Sequence, residues 1–172
     1  MDHATIWRNV ACTGHRPQYL PPGSQQWLSD DLARIAARLR DEHGTEIALS
    51  GGAAGVDLLW AEAAHSAGLA TWLYLPFPDQ DARWPQQWRD RLAAARHRAD
   101  RLITLGQRYS VALLHQRNAR LVADGDALVA AHDPARRSGG TVSTMRHAWD
   151  QGRPIIRVDL RHRRSTLAAN RP

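Results

Sequence analysis

Ile47-Ala48-Leu49-Ser50-Gly51-Gly52-Ala53-Ala54-Gly55-Val56-Asp57-Leu58-Leu59-Trp60 opens as a short apolar run, breaks at a serine and two glycines, and resumes with helical spacing. Val56, Leu59, Trp60, Ala63 and Ala67 then share one face, and Gly68 supplies the stop. A strand that turns through small residues straight into a helix is the unit of a parallel sheet, because parallel neighbours need a long crossover between them.

The same alternation extends in both directions. Ile6 to Cys12 reads as a strand, and Ser24 to Glu42 as a helix with Leu28, Leu32, Ile35 and Leu39 on one face and Gly44 as its stop. Thr71 to Leu75 and Arg101 to Leu105 read as strands, separated by a helix with Trp84 near its start and Trp88, Leu92 and Ala95 on one side. Residues 110–123 read as a helix, Ala127 to Ala131 as a strand, Thr141 to Gln151 as a helix with Met145, Ala148 and Trp149 facing in, and Pro154 to Val158 as a last strand. About six strands alternating with five helices imply a doubly wound α/β architecture, a mostly parallel sheet with helices on both faces. Residues 1–160 are expected to form this single domain, and residues 161–172 a basic C-terminal tail.

Composition narrows the chemistry. All 23 basic residues among the 172 are arginine, which excludes lysine Schiff bases, a lysine general base and a Walker-type phosphate loop. The net charge of +6 is concentrated at the end: residues 157–172 hold five Arg against Asp159 alone. That distribution is weak support for a nucleic-acid footprint, and the end reads as a solvated basic tail. One cysteine, Cys12, excludes an internal disulfide, no apolar run approaches the roughly 18–20 residues of a membrane span, and the start MDHATIWRN is unlike a secretory leader, so a cytoplasmic protein without a membrane partner is expected.

In such a sheet, ligands sit outside the carboxyl ends of the strands. The first strand leads into Thr13-Gly14-His15-Arg16-Pro17, where Gly14 admits close backbone approach and Arg16 offers a planar fork for phosphate or carboxylate. Ser50, Gly51, Gly52 and Gly55 leave amides uncovered at a helix start, either as a phosphate or ribose cradle or as a turn packing helix on sheet. Asp57 either accepts from a sugar or favours the first helical turn. After the fifth strand, Asp133 precedes Ser138-Gly139-Gly140-Thr141, a second glycine-rich helix start, in which Thr141 alone would also serve as a cap. In the fourth helix Leu114, Asn118, Leu121 and Val122 share a face, so the amide of Asn118 must find a partner in a loop or a ligand, while Arg117 beside it reaches a phosphate or solvent. Trp84 either packs or stacks on a base.

Nine histidines form no HExxH, close pair or cysteine-linked set, so neither a metal site nor a cofactor is expected. No GxSxG elbow or nucleophilic triad stands out, and Cys12 reads as core.

TGHRP, SGGAAGVD, PFPDQDARWP leading into WRDRL, QRNARLV and SGGTVSTMRHA, in this order, resemble the YpsA-like branch of the SLOG superfamily, which joins the DprA/Smf DNA-processing proteins to the LOG cytokinin-activating enzymes. The resemblance spans roughly residues 6–158. It implies a Rossmann-like fold, nucleotide contacts from Gly14, Arg16, Ser50 to Gly52, Gly55 and Gly139 to Thr141, and a homo-oligomer formed through helices at the sheet edge. It also exposes a departure. Where LOG enzymes carry PGGxGTxxE, this chain has Val142 at the second-glycine position and Arg146 at the glutamate position. Arginine cannot handle a proton or stabilise an oxocarbenium-like centre as a carboxylate does.

Three functions follow. The first is binding or sensing of a nucleotide or nucleotide-derived phosphorylated small molecule. The second is a hydrolase of N-glycosidic or phosphoester bonds using Asp57, Asp79 or Asp133, its catalytic residues otherwise unknown. The third, least supported, is DprA-like nucleic-acid binding.

Overall fold

The computed structural model describes residues 5–168 and 171–172; part of the expected C-terminal tail, residues 169–170, and the first four residues of the start lie outside the described residues. Among the described residues the elements run β1 (Asn9–Gly14), α1 (Gln25–His43), β2 (Ile47–Ser50), α2 (Val56–Ser66), β3 (Ala70–Leu75), α3 (Gln86–Arg98), β4 (Arg101–Thr104), α4 (Val111–Asp124), β5 (Ala127–His132), α5 (Gly140–Asp150), β6 (Ile155–Asp159) and β7 (Arg164–Leu167). A one-turn 3-10 helix, Pro17–Tyr19, interrupts the loop after β1.

The strands form one sheet in the order β4-β3-β2-β1-β5-β6-β7, parallel except for the last pair. The chain thus winds outward from β1 to β4, then returns to the other side of β1 with β5. Register is fixed at this join by Val10 opposite Ala127 and Cys12 opposite Val129. The loops after β1 and β5 therefore diverge at the point where the strand order reverses, and this opens a crevice at the carboxyl edge.

Alternation along each strand feeds two cores. Val10, Cys12, Ala48, Leu73, Leu75 and Val129 point to the face covered by α1, α2 and α3, while Ala11, Leu49, Tyr74, Leu128 and Ala130 point to the face covered by α4 and α5. Helix α1 buries Leu28, Leu32, Ile35 and Leu39 and ends at Gly44, whose left-handed φ of 62° lets its N–H return to the Leu39 carbonyl. Helix α2 lies deepest, with Leu58, Leu59 and Trp60 inaccessible or nearly so, because it is flanked by α1 and α3 as well as the sheet.

Three expectations shift. The first strand starts at Asn9 rather than Ile6, which is 72% exposed. Trp84 precedes α3 instead of opening it. A seventh strand lies within the stretch read as tail: Arg164–Leu167 pairs antiparallel with β6, Ile156 opposite Leu167. It is an edge strand with mostly exposed side chains, so the apolar alternation that marks a half-buried strand is missing.

Candidate functional site

The loop after β1 is seated on the start of α2. A Cβ on Gly14 would collide with the Val56 side chain, and one on Gly55 would strike the His15 carbonyl oxygen; Gly55 also holds φ +96°. That carbonyl instead accepts from the Val56 N–H at 3.2 Å. Gly14 and Gly55 thus serve a close approach between two pieces of the protein.

Above them lies a cavity of about 330 Å³. Its floor holds Cys12, Thr13 and Asp57, one wall is Arg16 and Tyr19, another is α4 through Leu114, His115 and Asn118, and the far wall is Arg136 with Ser138-Gly139-Gly140-Thr141. Helix α5 begins here without a side-chain cap, and its first intrahelical amide bond in the N-terminal direction is Ser143 N–H to the Gly139 carbonyl at 3.0 Å. The amides before Ser143 are the N-terminal donors that a helix leaves unused. Nothing would lie within 4 Å of a Cβ on Gly139 or Gly140, so the backbone at this helix start is open to close approach. Thr141 is not the cap; its Oγ1 faces Nδ1 of His15 at 3.5 Å.

Two arginines flank this helix start, each braced by an aromatic ring. Arg16 lies 5.6 Å from the Trp84 ring centroid, and Arg136 lies 3.8 Å from that of Tyr19. Trp84 therefore supports Arg16 from outside the cavity. Fixed guanidinium planes beside open amides suit a phosphate or another oxyanion.

The floor is a buried polar node. Ser50 Oγ donates to the Asp57 carbonyl at 2.7 Å and accepts from the Gly52 N–H at 3.2 Å; the Ala53 N–H donates to Asp57 Oδ2 at 3.3 Å. Arg117 reaches under the loop, donating Nη1 to the Gly51 carbonyl at 2.6 Å and Nε to Asn118 Oδ1 at 2.7 Å, with Nη1 3.9 Å from Asp57 Oδ2. Arg117 is 5% exposed and lines the cavity from below. Burial pushes the Asp57 carboxyl above its usual range, opposed by Arg117, Arg16 and the Ala53 N–H. Burial and the Asp57 charge likewise raise the Cys12 thiol, leaving it inert.

On the opposite side His15, itself 5% exposed, accepts the Asp133 N–H on Nε2 at 2.9 Å. Burial, then the neighbouring His132 and Arg136, hold its pKa at about 4, against the pull of Asp133. Asp133 is gripped by Arg161, Nε to Oδ1 at 2.9 Å and Nη2 to Oδ2 at 3.0 Å, and also accepts from the Ala135 N–H. This bidentate pair holds the Asp133 carboxyl at about 2.

Of the residues singled out in the sequence, Thr13, Gly14, His15, Arg16, Asp57, Arg117, Asn118, Ser138, Gly139, Gly140 and Thr141 line one cavity. Ser50, Gly51, Gly52 and Gly55 lie beneath it, their loop folded on Asp57 and Arg117, and Trp84 and Asp133 stand behind the arginines. Asp79 is exposed, and Glu62 pairs with Arg91 at 3.0 Å. Tyr19, His115 and Arg136 also line the cavity. Arg136 had a signal, since it sits two residues before Ser138 in the same glycine-rich loop. Among the described residues no group of three or more His, Cys, Asp or Glu could hold a metal ion, and no helix is long and apolar enough to cross a membrane.

No protein-family model and no curated protein matches the chain. Solved structures do. DNA processing protein A from Helicobacter pylori, described by its single-stranded DNA binding mode, aligns at 22% identity with a TM-score of 0.61, over 87% of this chain and 64% of that one. DprA from Streptococcus pneumoniae aligns at 16% identity with a TM-score of 0.64, over 88% of this chain and 50% of that one. The molybdenum cofactor carrier protein of Chlamydomonas reinhardtii aligns at 19% identity with a TM-score of 0.56, over 87% and 74%. The chain therefore spans less than two thirds of either DprA chain. At these identities the likeness is one of fold, a Rossmann-like α/β fold with a mostly parallel sheet.

Proposed function

We propose that the protein binds or senses a nucleotide or nucleotide-derived phosphorylated ligand in the cavity at the carboxyl edge of its sheet. The observation that carries this reading is the uncapped start of α5, Gly139-Gly140-Thr141, opening onto the cavity that Arg16 and Arg136 also line. Three kinds of donor converge there: backbone amides, the positive end of a helix dipole, and two guanidinium groups held against aromatic rings. The named ligands of two structural neighbours, single-stranded DNA and the molybdenum cofactor, both carry phosphate, which fits the same chemistry.

Hydrolysis draws less support. Asp57 is the carboxylate on the cavity wall among the described residues, and its Oδ2 is already held by the Ala53 N–H. Asp133 is committed to Arg161, Asp79 is exposed, and Arg146 occupies the position where LOG enzymes place a glutamate. A general acid or base needs to reach the reacting group, and of these side chains Asp57 alone is in the cavity lining, with its Oδ2 held by the Ala53 N–H, while Asp133 and Asp79 are not in that lining.

The test is a thermal-shift screen against nucleoside mono-, di- and triphosphates, NAD, ADP-ribose and cyclic nucleotides, with product analysis of every sample. A stabilising compound recovered intact, with the shift lost in Arg16→Ala, is the expected result. A compound recovered cleaved makes the protein an enzyme, and no shift with any of them refutes the nucleotide reading.

A further inference from the structure

The positive charge near the chain end is gathered rather than dispersed. On the other side of Arg136 from the first cavity lies a second one of about 400 Å³, lined by Arg136, Arg137, Arg146, Arg157, Arg164 and Arg171. They arrive from separate places: the loop after β5, the second turn of α5, β6, β7 and the chain end. The carboxylate on this wall, Asp159, already accepts from His162 Nδ1 at 2.8 Å and from the N–H groups of Arg161 and His162 at 2.9 Å. His132 also lines the cavity, and its Nδ1 is buried without a hydrogen-bond partner among the described residues. Burial and the nearby Arg157 lower its pKa, so near neutral pH it presents a neutral imidazole.

Arg171 is paired with Asp150 at 3.0 Å, so the argument rests on Arg136, Arg137, Arg146 and Arg164; gathering these guanidinium groups around one concavity costs Coulomb energy that a bound anion of several negative charges removes. Guanidinium forks match phosphoryl oxygens two at a time. The wall, among the described residues, has no Trp, Tyr or Phe, so it lacks the stacking platforms with which proteins hold single-stranded bases. The chemistry favours phosphate without bases. We propose that this second cavity binds a short inorganic oligophosphate, of the pyrophosphate and triphosphate class, at a site separate from the ligand of the first cavity. The site has its own arginines in Arg137, Arg146 and Arg164, and it stands whether or not the first cavity takes a nucleotide.

The experiment is calorimetric titration of the full chain with inorganic triphosphate, repeated over a range of salt and in competition with a short oligothymidylate. Arg146 and Arg164 are exposed, so the pair Arg146→Glu with Arg164→Glu changes the cavity's charge without touching the core. Triphosphate is expected to bind with an affinity that falls as salt rises, to weaken at least tenfold in this double variant, and to retain in Arg16→Ala the binding event that the double variant loses. Should the charge reversal unfold the chain, Arg146→Gln with Arg164→Gln is expected to weaken binding several-fold. No binding to the native chain, equal binding to the folded variants, or loss in Arg16→Ala alone overturns the proposal. So does displacement by oligothymidylate at lower concentration than triphosphate, which would make the surface a nucleic-acid groove.

Discussion

The Asp133 N–H donates to Nε2 of His15 at 2.9 Å, which leaves the proton of the neutral imidazole on Nδ1, facing Thr141 Oγ1. One ring thereby joins the loop after β1, the loop after β5 and the start of α5. Protonating Nε2 would break the join. With a pKa of about 4 in the fold against 6.5 for the free side chain, the unfolded chain takes up a proton that the native chain refuses.

Stability should therefore fall as pH drops from about 6.5 to 4, with His15 contributing a loss of roughly 3 kcal/mol by the low end. Urea unfolding at several pH values, compared with His15→Gln, isolates this contribution from that of other groups. The variant should lose stability less steeply across the window; parallel profiles would remove His15 as the cause.

Arg161 anchors the same loop from outside. Its pair with Asp133 is exposed on the arginine side, so Arg161→Ala should cost no more than about 1 kcal/mol of global stability. The larger effect should appear locally. Amide exchange across residues 133–140 is expected to accelerate, and affinity for the first-cavity ligand to fall several-fold, while exchange in β1 and β2 stays as it was.

Three glycines separate folding from binding. Gly55→Ala drives a Cβ into the His15 carbonyl at a φ of +96°, with no flexible side chain to move, and should cost about 3 kcal/mol or more. Gly139→Ala has open space but a φ of +109°, and should cost roughly 1–2 kcal/mol. Gly140→Ala meets neither obstacle and should leave stability within about 0.5 kcal/mol. Because its methyl group shields the open amides, ligand affinity should nonetheless drop about tenfold, as read by titration.

Arg117 and Arg16 should part in the same way. Removing Arg117 leaves Asp57 buried beside an unpaired Gly51 carbonyl, and Arg117→Ala should destabilise by about 3–5 kcal/mol. Arg16→Ala should unfold near the native midpoint yet fail to bind. Equal stability losses in the two would make Arg16 a structural residue.

The parts of the fold legible in the sequence are those with buried faces. Leu28, Leu32, Ile35 and Leu39 mark α1 because each contacts the core, and Trp88, Leu92 and Ala95 mark α3 for the same reason. Strand β7 escapes because Arg164, Ser165, Thr166 and Leu167 lie on a sheet edge with little to bury. In the site, Asn118 reads from its spacing as the buried polar group of α4, yet Arg117 is the one that goes under the loop. A long side chain can leave the expected face when a carbonyl and a carboxylate lie in reach, and helical spacing carries no trace of those partners. The SGGAAG turn reads either as a cradle or as a turn packing helix on sheet for the same reason: its composition records that small residues are needed, and only the fold reveals that Gly51 lies against Asp57 and Arg117 and Gly55 against the His15 carbonyl.

Strands β1 and β5 are adjacent in the sheet although more than a hundred residues separate Val10 from its partner Ala127. During synthesis from the N-terminus, β1 to β4 with α1 to α3 can assemble as one layer, but one side of β1 must wait with unpaired backbone until β5 leaves the ribosome. The floor of the cavity shares that wait, because Cys12 and Thr13 sit on β1. Closing so distant a contact is slow. The arrival of β5, with α5 behind it, therefore both covers an aggregation-prone edge and closes the crevice, so maturation of the site is tied to the folding of the second half of the sheet.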